Sequence, residues 1–187
     1  MLWINGFVGA SPTFDHIARI VASDYLMPLA FSAVIFAIWF VGRDLSERRR
    51  YQRGTLLAAT AIGISNLIVD IIDSAYDRQR PFDELGDSLQ LIFYRSTDPS
   101  FPANPMAVVF AIATGVWLVD RRIGWTLMAG ATIYSVVRVY VGTFYPTDVI
   151  GGAVIGVISA LIAWLLFEIL KPVPELFLRL LRGIGIA

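Results

Sequence analysis

The chain has 187 residues, of which 57% are hydrophobic and only 16% charged, and its mean hydropathy is +0.68. Soluble domains average roughly 45–50% apolar and about 25% charged residues, so this excess of apolar residues needs a lipid environment. The composition therefore disfavours a soluble enzyme, a nucleic-acid binder and a disordered scaffold. Acidic and basic residues balance at 15 each, and the chain has no cysteine and one histidine, His16. No cofactor, metal or nucleic-acid partner is expected.

Five apolar runs have the length of membrane-crossing helices, which need about 17–25 residues. They cover residues 25–41, 55–72, 106–119, 125–141 and 149–170. The sequence thus predicts an all-α, polytopic membrane bundle that forms a single domain over residues 1–187. An interfacial N-terminal helix is predicted to begin at Ser11, and an amphipathic C-terminal helix is predicted over 173–184.

Basic residues predict the orientation of this bundle, because cytoplasmic loops of membrane proteins are rich in Lys and Arg. Ten of the 15 basic residues lie in three places: the loop 42–54, the turn 120–122 and the C-terminal tail. These places alternate with the spans in a way that fits one topology. The C-terminus is predicted to be cytoplasmic, and the N-terminus and the 73–104 loop are predicted to lie outside.

Small residues recur every four positions in the last span, at Gly152, Gly156 and Ala160. Such spacing allows close approach of another helix. The partner helix belongs either to this chain or to another subunit. A protein partner within the membrane is predicted at this face or at the 82–104 segment, which reads either as a lid over an outer pocket or as a partner-facing surface. Membrane lipids are the other expected partners.

Polar residues cluster at the outer ends of the predicted spans, where charged groups at membrane depth usually mark function. The clusters contain Asp70, Asp73, Asp77, Arg78, Arg80, the run 100–105, Arg138 and Asp148. In order and spacing they resemble the motifs of the phosphatidic acid phosphatase type 2 / haloperoxidase superfamily, which are Lys-x6-Arg-Pro, Pro-Ser-Gly-His and Ser-Arg-x5-His-x3-Asp. The branch they resemble most is that of bacterial undecaprenyl-diphosphate phosphatases. The resemblance implies dephosphorylation of lipid phosphates at the outer face of a bacterial plasma membrane.

Half of the motif positions depart from the family pattern. Arg80, Pro81, Pro102, Arg138 and Asp148 match. Asp73 stands at the lysine position, Ala103, Asn104 and Pro105 replace Ser-Gly-His, and Val137 and Phe144 replace the serine and the histidine of the third motif. In the family, the third-motif histidine attacks phosphorus and the second-motif histidine protonates the leaving oxygen.

These replacements remove the family chemistry. Phe144 has no lone pair with which to attack phosphorus, and Pro105 has no proton to donate, which by itself typically costs about 10²–10⁴ in rate. Asp73 repels phosphate where lysine would attract it. No catalytic residue is therefore assigned. Arg80, Arg138, Asp148 and Asp73 are predicted to form a remnant phosphate pocket or a neutral ion-pair cluster.

Three local alternatives carry less weight or stay open. His16 is a solvated helix residue rather than a replacement nucleophile. Asp70, Asp73 and Asp77 share a helix face that could hold a hard cation, although ion pairing with nearby arginines is the better interpretation. Asp148 either caps the last helix or pairs with Arg138.

The sequence favours a catalytically silent family member that serves as an accessory or structural subunit of a membrane complex. One alternative is a protein that binds lipid or polyprenyl phosphates without hydrolysis. The other is a lipid phosphate phosphatase with non-standard chemistry.

Overall fold

The computed structural model describes residues 1–170, and all the regular structure in that range is helical. The helices are α1 (Leu2–Asn5), α2 (Pro12–Val21), α3 (Leu26–Trp39), α4 (Leu45–Ala75), α5 (Pro81–Glu84), a 3-10 turn (Gly86–Ser88), α6 (Asn104–Trp117), α7 (Arg121–Tyr140) and α8 (Pro146–Ile169). Each of the five predicted apolar runs falls on one helix: α3, α4, α6, α7 or α8. The amphipathic helix predicted over 173–184 lies outside the described residues.

Two of the described helices, α4 and α8, are long and apolar enough to cross a membrane. A third span results if α2 and α3, which are bent by 54° at their break, are counted together. Large apolar side chains such as Phe36, Leu67, Ile71 and Leu165 are exposed on the outside of the bundle, where only lipid would solvate them favourably. The chain is an integral membrane protein.

Helix α6 is the centre of the bundle and packs against α3, α4, α7 and α8. Nine of its residues are buried, including Met106 and Ile112, which explains why the helix is apolar on all sides. Its neighbour α8 approaches very closely: an added Cβ would lie 2.3 Å from the carbonyl oxygen of Ala103, the N-cap of α6, at Gly152, and 2.4 Å from that of Ala107 in α6 at Gly156. The Gly152/Gly156/Ala160 face is therefore occupied within the chain, and the structure corrects its assignment to a protein partner.

The arginine-rich segment predicted as a loop over 42–54 is mostly helix. Helix α4 begins at Leu45, where the Asp44 carboxylate accepts hydrogen bonds from the amides of Ser46 and Glu47, both at 2.8 Å. The charged residues end the apolar run and so predicted a loop here, but Arg, Glu and Leu are good helix formers and the helix continues through them. The basic residues thus lie on the first turns of a long helix.

The 82–104 segment is held at one end of the bundle by the N-terminal residues. The Asn5 side-chain amide donates to the carbonyl oxygens of Gln90 (2.8 Å) and Tyr140 (2.9 Å) and accepts from the Gln90 amide (2.9 Å). Asp15, buried on α2, accepts from the Tyr140 hydroxyl at 2.5 Å. These contacts fix the segment across the end of α7, above the polar site.

Candidate phosphate site

A cavity of about 290 Å³ opens where the ends of α3, α6 and α7 meet the 82–104 segment. Its polar walls come from Asp24, Arg80, Tyr94, Ser96, Asp98, Asn104 and Arg138, and its apolar walls from Pro28, Pro105, Val108 and Phe144. Four of the polar residues, Tyr94, Ser96, Asp98 and Asn104, belong to the 82–104 segment. The segment therefore forms part of the cavity wall.

Arg80 is one of two buried arginines on this cavity, with 3% of its side chain exposed. Its Nε donates to the Asp98 carbonyl oxygen at 2.9 Å, one terminal nitrogen donates to the Thr143 carbonyl at 3.2 Å, and the other forms an ion pair with the Asp98 carboxylate at 2.8 Å. A guanidinium has five N–H donors. Two of them therefore remain free of the contacts described.

Arg138, near the end of α7, is the second buried arginine, with 2% of its side chain exposed. Its terminal nitrogens contact the Asp24 carboxylate at 2.6 Å and the Ala22 carbonyl oxygen. Its Nε is buried and has no hydrogen-bond partner among the described residues. A buried, charged donor without an acceptor is costly, so this atom marks a place where an anion would be stabilised.

The two positions that carry histidine in the family pattern both lie on the cavity wall. The Phe144 ring is flanked by both guanidinium groups, with its centroid 4.5 Å from Arg80 Cζ and 4.8 Å from Arg138 Cζ. Cations in this position interact favourably with an aromatic face. Pro105 is the second residue of α6 and lines the same cavity. The arrangement keeps the two arginines of the family motifs and replaces both the nucleophile and the proton donor.

Asp98 lies on the solvent side of the site, with 62% of its side chain exposed. Partial burial raises its pKa, but a hydrogen bond from Ser96 and the nearby Arg80 charge bring the pKa below its ordinary value. Asp98 is therefore ionised at neutral pH. Tyr94 donates to the Asp24 carboxylate, and this hydrogen bond together with partial burial raises the pKa of Tyr94 to about 12.

Asp148 does not pair with Arg138. Its carboxylate, fully buried in the first turn of α8, forms an ion pair with Arg78 at 2.6 Å and accepts from the Ser100 hydroxyl at 2.5 Å. It also accepts from the amide of Tyr145, the residue that caps α8, at 3.0 Å. The N-cap of α8 is Tyr145 rather than Asp148, which is the third residue of the helix and bonds back to the Tyr145 amide. The ion-pair partner of Asp148 is Arg78 rather than Arg138.

Asp73 lies within electrostatic range of Arg80 and Asp98 but makes no direct contact with the other three residues of the predicted cluster. It lines a separate cavity of about 530 Å³ with Asn66, Asp70 and Asn104, and it takes part in none of the ion pairs found in the described residues. Within residues 1–170, no group of three or more His, Asp and Glu side chains is placed to hold a metal ion. His16 is exposed on α2 and does not line the phosphate cavity.

Sequence reasoning missed Asp24, Tyr94 and Asp98, which complete the site. They lie outside the three motifs and are brought to Arg80 and Arg138 only by the folded chain. Asp24 did carry a signal, because it is a charged residue directly before the first apolar run. Asp98 lies in a polar run of the 82–104 segment, where nothing local distinguishes it from a solvated loop residue.

Comparison with known proteins confirms the resemblance drawn from the motifs. The profile of the PAP2 superfamily matches residues 54–171. Undecaprenyl-diphosphatase BcrC of Bacillus subtilis is 27% identical over 97% of this chain and 89% of its own. The crystal structure of Aquifex aeolicus LpxE superposes with a TM-score of 0.70 at 26% identity, covering 87% of this chain and 90% of that one. A transmembrane PAP2-type phosphatidylglycerolphosphate phosphatase from Bacillus subtilis superposes with a TM-score of 0.64 at 18% identity, covering 90% of this chain and 85% of that one.

These relatives overturn the interpretation of the chain as a catalytically silent accessory subunit. The similarity to a protein named as an undecaprenyl-diphosphatase extends over nearly the whole chain, and the same fold is found in a lipid phosphatase. The findings point to phosphatase function, and they favour the non-standard lipid phosphatase among the alternatives.

Proposed function

We propose that this chain, which belongs to the PAP2 superfamily, is a lipid phosphate phosphatase that acts on polyprenyl diphosphates by chemistry that does not use the family's histidines. The observation that carries the proposal is the buried Nε of Arg138, which lacks an acceptor at a cavity that Arg80 also lines. Two guanidinium groups on one small cavity match the oxygen atoms of a terminal phosphate. The name of the Bacillus subtilis relative suggests undecaprenyl diphosphate as the substrate.

The substrate's location follows from a proposed topology of five spans, formed by α3, α4, α6, α7 and α8. The phosphate cavity, the N-terminus and the 73–104 segment then face outward, and the basic start of α4 and the C-terminus face the cytoplasm. Because the chain has no cysteine, single cysteines report the sidedness directly. Asp87→Cys should react with a membrane-impermeant maleimide in intact cells, and Arg49→Cys only after lysis. The reverse pattern would overturn the topology.

The test of the function is phosphate release from undecaprenyl diphosphate by purified protein in vesicles. Arg80→Gln should lose most of the release, because it removes a charge that holds the phosphate. Asp98, the ion-pair partner of Arg80, stays largely hydrated in this variant, so the broken ion pair itself should cost little stability. The midpoint of thermal unfolding is measured alongside, because Arg80 is buried and also donates to the carbonyl oxygens of Asp98 and Thr143. Arg95→Gln is the matched control, since Arg95 lies in the same segment with 71% of its side chain exposed and does not line the cavity. Equal release from both variants would contradict the proposal.

A second candidate, binding of lipid phosphates without hydrolysis, is favoured by one observation. Phe144 and Pro105 leave the cavity without a histidine to attack phosphorus or to protonate a leaving group. This candidate expects undecaprenyl diphosphate to co-purify with the protein and to bind more weakly after Arg138→Ala. It also expects no phosphate release from the bound lipid.

A further inference from the structure

We infer that the carboxylate of Asp98 is the nucleophile that attacks the terminal phosphorus, in place of a histidine. The inference rests on the phosphatase function proposed above and names the group through which that function would act. Carboxylates are established nucleophiles in phosphoryl transfer, where they form an aspartyl phosphate. None of the three sequence motifs includes Asp98.

The cavity offers four oxygen nucleophiles: the side chains of Asp24, Tyr94, Ser96 and Asp98. Tyr94 stays protonated at neutral pH, because its pKa is raised to about 12. The Ser96 hydroxyl donates to the Asp98 carboxylate, which is a weak base because its pKa is lowered. Ser96 is therefore not activated as a nucleophile. The two carboxylates are therefore the candidates.

Exposure distinguishes the two carboxylates. Asp24 has 20% of its side chain exposed and is covered by Arg138 and by the Tyr94 hydroxyl, which donates to it. Asp98 has 62% of its side chain exposed and lines the same cavity. Both carboxylates are engaged by neighbours, Asp98 by Arg80 and the Ser96 hydroxyl and Asp24 by Arg138 and the Tyr94 hydroxyl. The larger exposed fraction of Asp98 is what makes it the more accessible nucleophile.

Asp98 is also close to the place that the family nucleophile would occupy. Its carboxylate oxygen lies 2.8 Å from a terminal nitrogen of Arg80, and the same guanidinium lies 4.5 Å from the Phe144 ring centroid. Arg80 has two N–H donors free for phosphoryl oxygens. A phosphate held by Arg80 and the unpaired Arg138 Nε would therefore lie beside the Asp98 carboxylate, with its charge balanced as the bond forms.

The reaction then has two balanced steps. A carboxylate oxygen of Asp98 bonds to the terminal phosphorus while the anhydride P–O bond breaks, and the lipid monophosphate leaves with the bonding electron pair. Water next attacks the phosphorus of the aspartyl phosphate, and Asp98 leaves as a carboxylate. The two protons of the water depart on inorganic phosphate as H₂PO₄⁻.

The test combines chemical trapping with two variants, using the full chain in vesicles with undecaprenyl diphosphate. Hydroxylamine cleaves an acyl phosphate and leaves a hydroxamate on the modified aspartate, which peptide mass spectrometry locates. We expect the hydroxamate on Asp98 during turnover, and loss of phosphate release in Asp98→Asn to the level of protein-free vesicles. Asp87→Asn, an exposed aspartate of the same segment outside the cavity, should release phosphate like the unmodified chain.

The outcomes separate this assignment from the proposed function. Release by the unmodified chain with no hydroxamate on Asp98, or with release kept in Asp98→Asn, overturns the assignment and leaves the phosphatase function standing. A hydroxamate on Asp24 overturns it in favour of the second carboxylate. If the unmodified chain releases no phosphate, the proposed function fails and the assignment fails with it. Trapping on the unmodified chain decides the question even if Asp98→Asn does not fold.

Discussion

Undecaprenyl diphosphate is expected to be hydrolysed at least about 100-fold faster than undecaprenyl monophosphate, because the site has lost its proton donor. Cleavage of the diphosphate expels a phosphate monoester, whose second pKa is about 6, so the leaving group needs no proton. Cleavage of the monophosphate expels an alcohol, whose pKa is comparable to the 15.7 of water. General-acid assistance to such a step is typically worth about 10²–10⁴ in rate. The measurement is the rate of phosphate release from the two lipids at equal surface density.

The comparison has an internal control because both lipids carry the same hydrocarbon tail. The two neutral hydroxyls on the cavity are poor proton donors, because the Tyr94 proton is engaged by Asp24 and the Ser96 proton by Asp98. Pro105→His should raise the rate on the monophosphate and leave the rate on the diphosphate nearly unchanged. Similar rates on both lipids in the unmodified chain would mean that another group protonates the leaving oxygen, and the prediction would be wrong.

Removal of the Arg138 charge is expected to cause the largest combined loss of stability and activity. Arg138→Met leaves the Asp24 carboxylate, 20% exposed, without its cation. Breaking one partner of a buried pair costs about 3–5 kcal/mol, and the partial exposure of Asp24 places the cost toward the lower end. The midpoint of thermal unfolding in detergent should fall, and phosphate release should be lost because one of the two cations proposed to bind phosphate is gone.

A second substitution separates the two effects. Arg138→Met with Asp24→Asn removes the stranded charge, so the unfolding midpoint should recover much of the loss while phosphate release stays absent. Asp24→Asn alone is the matched single variant, and it should be destabilised because Arg138 is then buried without its carboxylate. Recovery of release in the double variant would show that Arg138 acts only as a structural ion-pair partner.

The helical architecture was predictable because apolar run length determines where a chain can cross lipid. All five predicted runs fall on helices, and Ser11 does precede α2, where its hydroxyl accepts from the Phe14 amide. The start of α4 was not predictable from hydropathy, since a charged helix extending from the membrane has the same composition as a charged loop. The partner of the Gly152 and Gly156 face was likewise undetermined, because spacing indicates close packing and not which helix packs.

The site was predictable only as far as its motifs extend. The resemblance to the family motifs grouped Arg80 and Arg138 in one pocket, and both arginines do line a single cavity. The spacing of Arg138 and Asp148 suggested an ion pair between them, but Asp148 pairs with Arg78 instead. Ion-pair partners depend on which loop crosses the bundle end, and Asp98 is brought to Arg80 by a segment whose path no local pattern specifies.

The most direct test of the account is a time course of phosphate release from undecaprenyl diphosphate by the unmodified chain in vesicles, with an Arg80→Gln preparation measured alongside. The account predicts steady release that passes one phosphate per protein molecule, with Arg80→Gln far below it. Release from the unmodified chain that never rises above the Arg80→Gln level, although the lipid binds, would contradict the phosphatase function.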